Sequence, residues 1–161
     1  MQLAHTLPNV ANELNLPFLS EGVVEAPSAE TFFYSIDTTL KHSNATQNVY
    51  FSNYFEWQGY CRERWFFECI SKDMLATEGV FVTKNAHNNY IKEAFPFQTV
   101  LCSMNTFHVQ RCSFYLLFKF SIDGELTATG YQQVAFANHK KRIHRMPESV
   151  IEKIKRYEIH V

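Results

Sequence analysis

One segment narrows the folds open to this chain more than any other: residues 53–70, NYFEWQGYCRERWFFECI. At helical spacing Tyr54, Trp57, Cys61 and Trp65 form one apolar stripe, while Tyr60, Phe66 and Phe67 lie elsewhere on the circumference. A surface helix has one apolar face; a helix with aromatic residues nearly all round is enclosed by other structure. Asn53 reads as its N-cap and Glu56 as the N3 partner of a capping box, with the helix running to about Ile70.

Strands supply the enclosure. Thr31–Thr39 alternates Phe32, Tyr34, Ile36 and Thr38 with Phe33, Ser35 and Asp37. Gly79–Lys84 and Thr99–Met104 are further strand candidates. His108–Ile122 is the clearest, with Cys112, Phe114, Leu116, Phe118 and Phe120 on one face and Arg111, Ser113 and Lys119 on the other. Asp123-Gly124 signals a two-residue hairpin, and Glu125–Asn138 is the return strand. Gly130 inside that strand marks a bulge or a close backbone approach. Pro147 suits N1 of a closing helix docked by Val150, Ile151, Ile154 and Tyr157.

One strand, an enclosed helix and a run of antiparallel strands make an α+β domain. With 161 residues, 46% of them apolar and 15 of them Phe, the chain can bury one core without staples. Residues 1–30, with Pro8, Pro17 and Pro27 and room for a helical turn at Val10–Leu16, read as an appendage to a domain over residues 31–161.

Other classes are disfavoured. A net charge of −1 gives no field toward nucleic acid or an anionic membrane. Phe114–Phe118 is too short to cross a bilayer, and Met1–Ala11 lacks a signal peptide's basic and apolar regions. The expectation is a soluble, cytoplasmic protein. Cys61, Cys69, Cys102 and Cys112 are scattered without ligand spacing, so they read as reduced core thiols, with no metal and no cofactor expected.

The words His42-Ser43-Asn44-Ala45-Thr46-Gln47-Asn48-Val49-Tyr50-Phe51-Ser52-Asn53-Tyr54-Phe55-Glu56-Trp57 resemble the opening of the 4-hydroxybenzoyl-CoA-thioesterase-like branch of the hotdog superfamily. That branch reads Asp-x-Asp-x-x-Gly-x-Val-aromatic-aromatic-x-Asn-Tyr-x-x-Trp. His42 and Asn44 stand at its two acidic positions and Gln47 at its Gly. Asn44 cannot act as the branch's catalytic carboxylate. The thioesterases of enediyne and polyene biosynthesis carry Asn there, and their helix resembles Trp57-Gln58-Gly59-x-Cys61-Arg62-Glu63.

This resemblance, covering roughly residues 31–155, implies a single hotdog domain: a long central helix wrapped by a curved antiparallel sheet. It implies thioester hydrolysis, with Asn44, Tyr54 and Arg62 as working polar groups. It also implies a homodimer, paired into a homotetramer, with sites between protomers.

The residues themselves point the same way less sharply. Tyr54, Gln58 and Arg62 recur at i, i+4 and i+8 on one side of the helix. The helix N-terminus offers free N–H groups to a developing oxyanion, the nearest being at Phe51. The catalytic candidates are therefore Asn44, Arg62, Tyr54 and the Phe51 backbone. Tyr50, Gln58, Cys61 and Trp65 are candidate substrate contacts, and Glu63 is a weaker candidate acting toward a neighbouring subunit.

Plainer readings stand beside these. Asn44 alone is a turn residue and Asn44-Ala45-Thr46 a chance glycosylation sequon. Arg62 could be a satisfied structural arginine, and Tyr54 could serve packing. The basic stretch His139–Arg145 is a solvated loop or a dock for an acidic carrier protein. The functional expectation is release of a polyketide or polyene acid from an acyl-carrier protein. The alternatives are a general acyl-CoA thioesterase and a catalytically silent acyl- or carrier-binding hotdog.

Overall fold

The computed structural model describes residues 29–73 and 79–159. The expected appendage over residues 1–30, with its helical turn, falls almost entirely outside them. The elements in chain order are β1 (Phe32–Asp37), a short 3-10 turn (Leu40–His42), α1 (Asn53–Trp65) running into a π-helical turn (Phe66–Ile70), β2 (Val80–Tyr90), β3 (Thr99–Phe107), β4 (Ser113–Ile122), β5 (Glu125–Ala137) and α2 (Glu148–Lys155). The five strands form one antiparallel sheet in the order β1-β3-β4-β5-β2. This is the α+β hotdog arrangement. Among the described residues no helix is long and apolar enough to cross a membrane.

The core lies between one face of the sheet and the α1 stripe. Val100, Cys102 and Met104 of β3 and Phe114, Leu116, Phe118 and Phe120 of β4 are buried against Tyr54, Trp57, Cys61 and Trp65. Burial of side chains this large stabilises by about 1.5–3 kcal/mol each. α2 closes one end through Val150, Ile151 and Ile154. Asp123 and Gly124, at φ 51° and 79°, make the expected tight hairpin between β4 and β5.

Five expectations need correction. The sheet covers one side of α1 and its π-helical turn only: Phe55, Tyr60 and Phe67 are 39%, 46% and 49% exposed on the outer side. Asn53 is not the N-cap. Ser52 precedes the first helical residue, and Asn53 Nδ2 instead donates to the carbonyls of His42 (2.9 Å) and Tyr50 (3.0 Å), while Glu56 accepts from the Tyr60 hydroxyl. β2 runs six residues past Lys84, because the polar stretch Asn85–Asn89 also pairs along β5. His108–Cys112 is a turn, with His108 at φ 50°, so β4 starts at Ser113. Pro147 precedes the first residue of α2, one place before N1.

Candidate active site

The loop ahead of α1 is folded on itself. His42, 8% exposed, takes the Thr39 N–H on Nδ1 and meets Trp57 edge-on. Ser43 and Val49 form an isolated bridge that closes a turn over Asn44–Asn48. Within it Asn44 Oδ1 accepts from the Thr46 N–H at 3.0 Å, and the Thr46 hydroxyl lies 2.7 Å from that oxygen and 2.6 Å from Asn48 Oδ1. The amide oxygen of Asn44 therefore shapes its turn, while among the described residues its Nδ2 has no acceptor. Gln47 sits at φ 67°, the left-handed region that favours glycine, which accounts for the Gly of the related branch at this position.

At the start of α1 the first turn is closed by bonds from Asn53 N to Tyr50 O, Tyr54 N to Phe51 O and Phe55 N to Ser52 O. Among the described residues the N–H groups of Phe51 and Ser52 have no acceptor. They are the free donors that a helix N-terminus presents, at its positive end. A cavity of about 290 Å³ opens beside them, lined among others by Asn48, Phe51, Tyr54, Tyr90 and Glu93. Asn44 and Tyr50 do not line it.

Tyr54 is 3% exposed and among the described residues its hydroxyl finds no well-formed hydrogen bond. Burial raises its pKa, partly offset by the nearby Thr127 hydroxyl. Thr127 is the extra residue of a bulge between Phe120/Ala128 and Ser121/Leu126, and its carbonyl holds the N–H groups of Ile91 and Lys92. Tyr90 packs edge-on against both Tyr54 and Phe51 and donates its hydroxyl to the Phe51 carbonyl at 2.8 Å; burial pushes its pKa up to about 12. The sequence reading missed Tyr90, Thr127 and Glu93, since all three come from strands or loops far from the motif.

Tyr54, Gln58 and Arg62 do share a side of α1, the side facing β2 and β5. Gln58 is fully buried; its Nε2 donates to His87 O (3.0 Å) and Asn88 Oδ1 (3.2 Å), and its Oε1 accepts from Gln132 Nε2 (3.2 Å). Arg62 Nη1 donates to Gln132 Oε1 (2.9 Å) and Thr83 Oγ1 (2.6 Å). This side chain is half-buried, has no carboxylate partner among the described residues, and burial lowers its pKa while neighbouring Glu63 raises it. It lines a second cavity, of about 470 Å³, with Glu63, Phe66, Lys72 and Phe81.

The sequence-derived candidates are thus not all together. Phe51 and Tyr54 share the N-terminal cavity; Arg62 lies two turns further along α1, beside the other one. Asn44 is in the loop, and Tyr50, 43% exposed, lies against Phe51. Cys61 and Trp65 are 0% exposed within the core, as is Gln58, so none of the three presents surface to a ligand in a single chain. Cys61 and its neighbour Cys102 are core thiols, burial and the adjacent sulfur raising Cys102, whereas Cys69 and Cys112 are only half-buried. Among the described residues no His, Cys, Asp or Glu side chains cluster to hold a metal ion.

The same architecture recurs among solved structures. The dynemicin thioesterase, whose crystal structures reveal polyene binding, superposes with a TM-score of 0.74 at 23% identity, over 82% of this chain and 100% of that one. A Staphylococcus aureus protein in complex with CoA gives 0.75 at 17% identity, over 83% and 87%. A variant 4-hydroxybenzoyl-CoA thioesterase with its 4-hydroxybenzoyl-CoA gives 0.72 at 15%, over 78% and 99%. Among curated proteins none matches the sequence. Residues 37–154, from the end of β1 into α2, match the thioesterase-like superfamily as a family, and the chain belongs to it.

Proposed function

We propose that this thioester hydrolase releases an acyl chain, of polyketide or polyene type, from an acyl-carrier protein. The observation that carries the reading is the pair of unsatisfied N–H groups, Phe51 and Ser52, opening on an aromatic cavity at the N-terminus of α1. Donors aimed at a developing oxyanion are the largest single contribution to acyl transfer in many enzymes. The free Nδ2 of Asn44, on the adjoining loop, is the second donor. The polyene bound by the dynemicin thioesterase supports the acyl class, and the aromatic lining of both cavities suits a conjugated chain.

Arg62 enters through assembly. About 12 Å of helix rise separates Tyr54 from Arg62, and each faces a different cavity. β2 is an edge strand, with Val82 40% exposed on it. Pairing two β2 strands antiparallel about Asn85 would bring the Tyr90 end of one protomer to the Val80 end of its partner. The cavity of Tyr54 and Tyr90 would then adjoin the partner copy's cavity of Arg62 and Phe81. A homodimer of this kind, paired further into a tetramer, completes each site.

The test is thiol release from one acyl group carried on an acyl-carrier protein, on CoA and on N-acetylcysteamine, with Asn44→Ala and Arg62→Ala alongside. Release from the carrier in preference to CoA, with both variants reduced by about 10²-fold or more, supports the reading. Equal release from CoA makes it a general acyl-CoA thioesterase. Binding without release from any thioester makes it a silent acyl-binding hotdog.

A further inference from the structure

Hydrolysis needs a group to accept a proton from water, and neither the Asn44 loop nor the inward side of α1 carries a carboxylate. We propose that Glu93, in the connection between β2 and β3, is the general base. This rests on the thioesterase reading above and adds to it the residue that activates water.

Glu93 shares the N-terminal cavity with Phe51, Tyr54 and Tyr90. Asn48 Nδ2 donates to its Oε1 at 3.0 Å, across 45 residues of sequence, which fixes the carboxylate and leaves Oε2 free to take a proton. No cation among the described residues pairs with it: adjacent Lys92, the cationic group on the same wall, turns its Nζ to Glu125 Oε2 at 2.7 Å. The Asn48 contact also joins Glu93 to the motif, since Asn48 Oδ1 meets the Thr46 hydroxyl and that hydroxyl meets Asn44 Oδ1. Asn48 and Thr46 thus stand between Glu93 and Asn44, the single proton of the Thr46 hydroxyl serving one of the two amide oxygens at a time.

The other titratable groups of the wall do not serve. Tyr54 and Tyr90 are held protonated by burial, which suits them to donate. Among the described residues the buried Tyr54 hydroxyl has no well-formed hydrogen bond, only the Thr127 hydroxyl nearby, so it is a donor available to whatever enters.

The step balances with these groups alone. Glu93 takes a proton from water as the water oxygen bonds to the thioester carbon, and the carbonyl electron pair moves onto oxygen, facing the Phe51 and Ser52 N–H groups. Re-forming the carbonyl breaks the C–S bond, and the departing thiolate takes the proton back from Glu93. The products are the free acid and the thiol, with the carboxylate restored.

Glu93→Gln is the variant to make, because glutamine keeps the oxygen that Asn48 holds and loses only the base. The expected result is a fall in kcat of roughly 10²-fold or more with KM unchanged. Hydroxylamine, which attacks thioesters without a base, should then cleave the substrate as fast in Glu93→Gln as in the wild type. Wild-type hydrolysis by Glu93→Gln overturns the proposal and leaves the thioesterase reading standing. Equal loss of hydrolysis and hydroxylaminolysis also overturns it, since the residue would then only hold the loop. A wild-type protein that cleaves no thioester overturns both. If Glu93→Gln melts early, Glu93→Asp decides: it should keep the carboxylate and part of kcat, and a complete loss counts against the base.

Discussion

The side-chain amide of Gln58 fills the space that a β-carbon on Gly130 would need: that carbon would lie 2.3 Å from Gln58 Nε2 and 2.6 Å from the carbonyl oxygen of His87. Helix and sheet therefore meet through an amide lying on bare backbone. The close approach lets Gln58 link β2 to Gln132, and through Gln132 to Arg62. Of the two roles open to Gly130 from sequence, bulge or close approach, the structure selects the second.

Gly130→Ala should therefore destabilise strongly. The flexible amide of Gln58 can shift, but the His87 carbonyl is part of the β2–β5 ladder and cannot. Overpacking of this kind costs about 2–3 kcal/mol, a fall of roughly 5–10 °C in Tm for a chain of this size. Thermal denaturation reads it directly, and an unchanged Tm would contradict the packing described.

Stability should also depend on pH through His87. Its ring is 6% exposed, its Nε2 has no partner among the described residues, and burial lowers its pKa below the usual 6.5. The unfolded chain takes up a proton near 6.5 that the folded chain refuses until lower pH. The stability due to neutral His87 is whole above that value and is lost as pH falls below it. Urea unfolding should show a declining free energy from about pH 7 to about pH 5. His87→Phe, which keeps a ring against Tyr131, should flatten that slope. Equal slopes in both proteins would assign the dependence to other groups.

Gln47→Gly should do the opposite of Gly130→Ala. A side chain at φ 67° costs about 1 kcal/mol, part of which the greater freedom of unfolded glycine offsets. A net gain of about 0.5 kcal/mol is expected, visible as a higher urea midpoint at unchanged slope. A loss would mean that the Gln47 side chain makes a contact outside a single chain.

These cases show what was legible. The aromatic spacing from Tyr54 to Trp65 and the Asp123-Gly124 turn follow local rules, so the helix, the hairpin and the fold class could be read directly. Gln47 stood out against the motif's Gly, and its positive φ explains the substitution as tolerated strain. The site was only half legible. Tyr90 and Glu93 reach the cavity through strand pairing and a loop crossing, relations that no spacing encodes. The expected strand ended at Lys84 because Asn85–Asn89 carries almost no apolar side chains, although Gln58 uses its backbone. Gln58 and Cys61 belong to the motif and Trp65 follows it on the same helix, yet packing against the sheet buries all three completely.

The basic stretch His139–Arg145 supplies the last prediction. Asn138 Oδ1 accepts from the N–H groups of Lys140 and Arg142, and Lys141 takes φ 61°, so the loop is a built turn. Lys140, Lys141 and Arg142 are exposed and, among the described residues, paired with no carboxylate, whereas Arg145 is engaged by Glu148. Ile143, 53% exposed, sits among them. Since the whole chain has 15 Lys and Arg against 16 Asp and Glu, this turn is a basic spot on an otherwise acidic protein. It follows β5 directly after Ala137, the register partner of Val80, and Val80 lines the Arg62 cavity. A carrier protein with an acidic face would dock there with its thioester arm toward that cavity. The variant Lys140→Glu, Lys141→Asn, Arg142→Glu keeps a residue tolerant of positive φ at the turn. Each exposed ion pair contributes up to about 1 kcal/mol, so KM for a carrier-bound thioester should rise about 10-fold or more. Turnover of the same acyl group on N-acetylcysteamine should not change, and added salt should raise the wild-type KM toward that of the variant. Equal KM values on the carrier, at low salt, would return this loop to the status of a solvated turn.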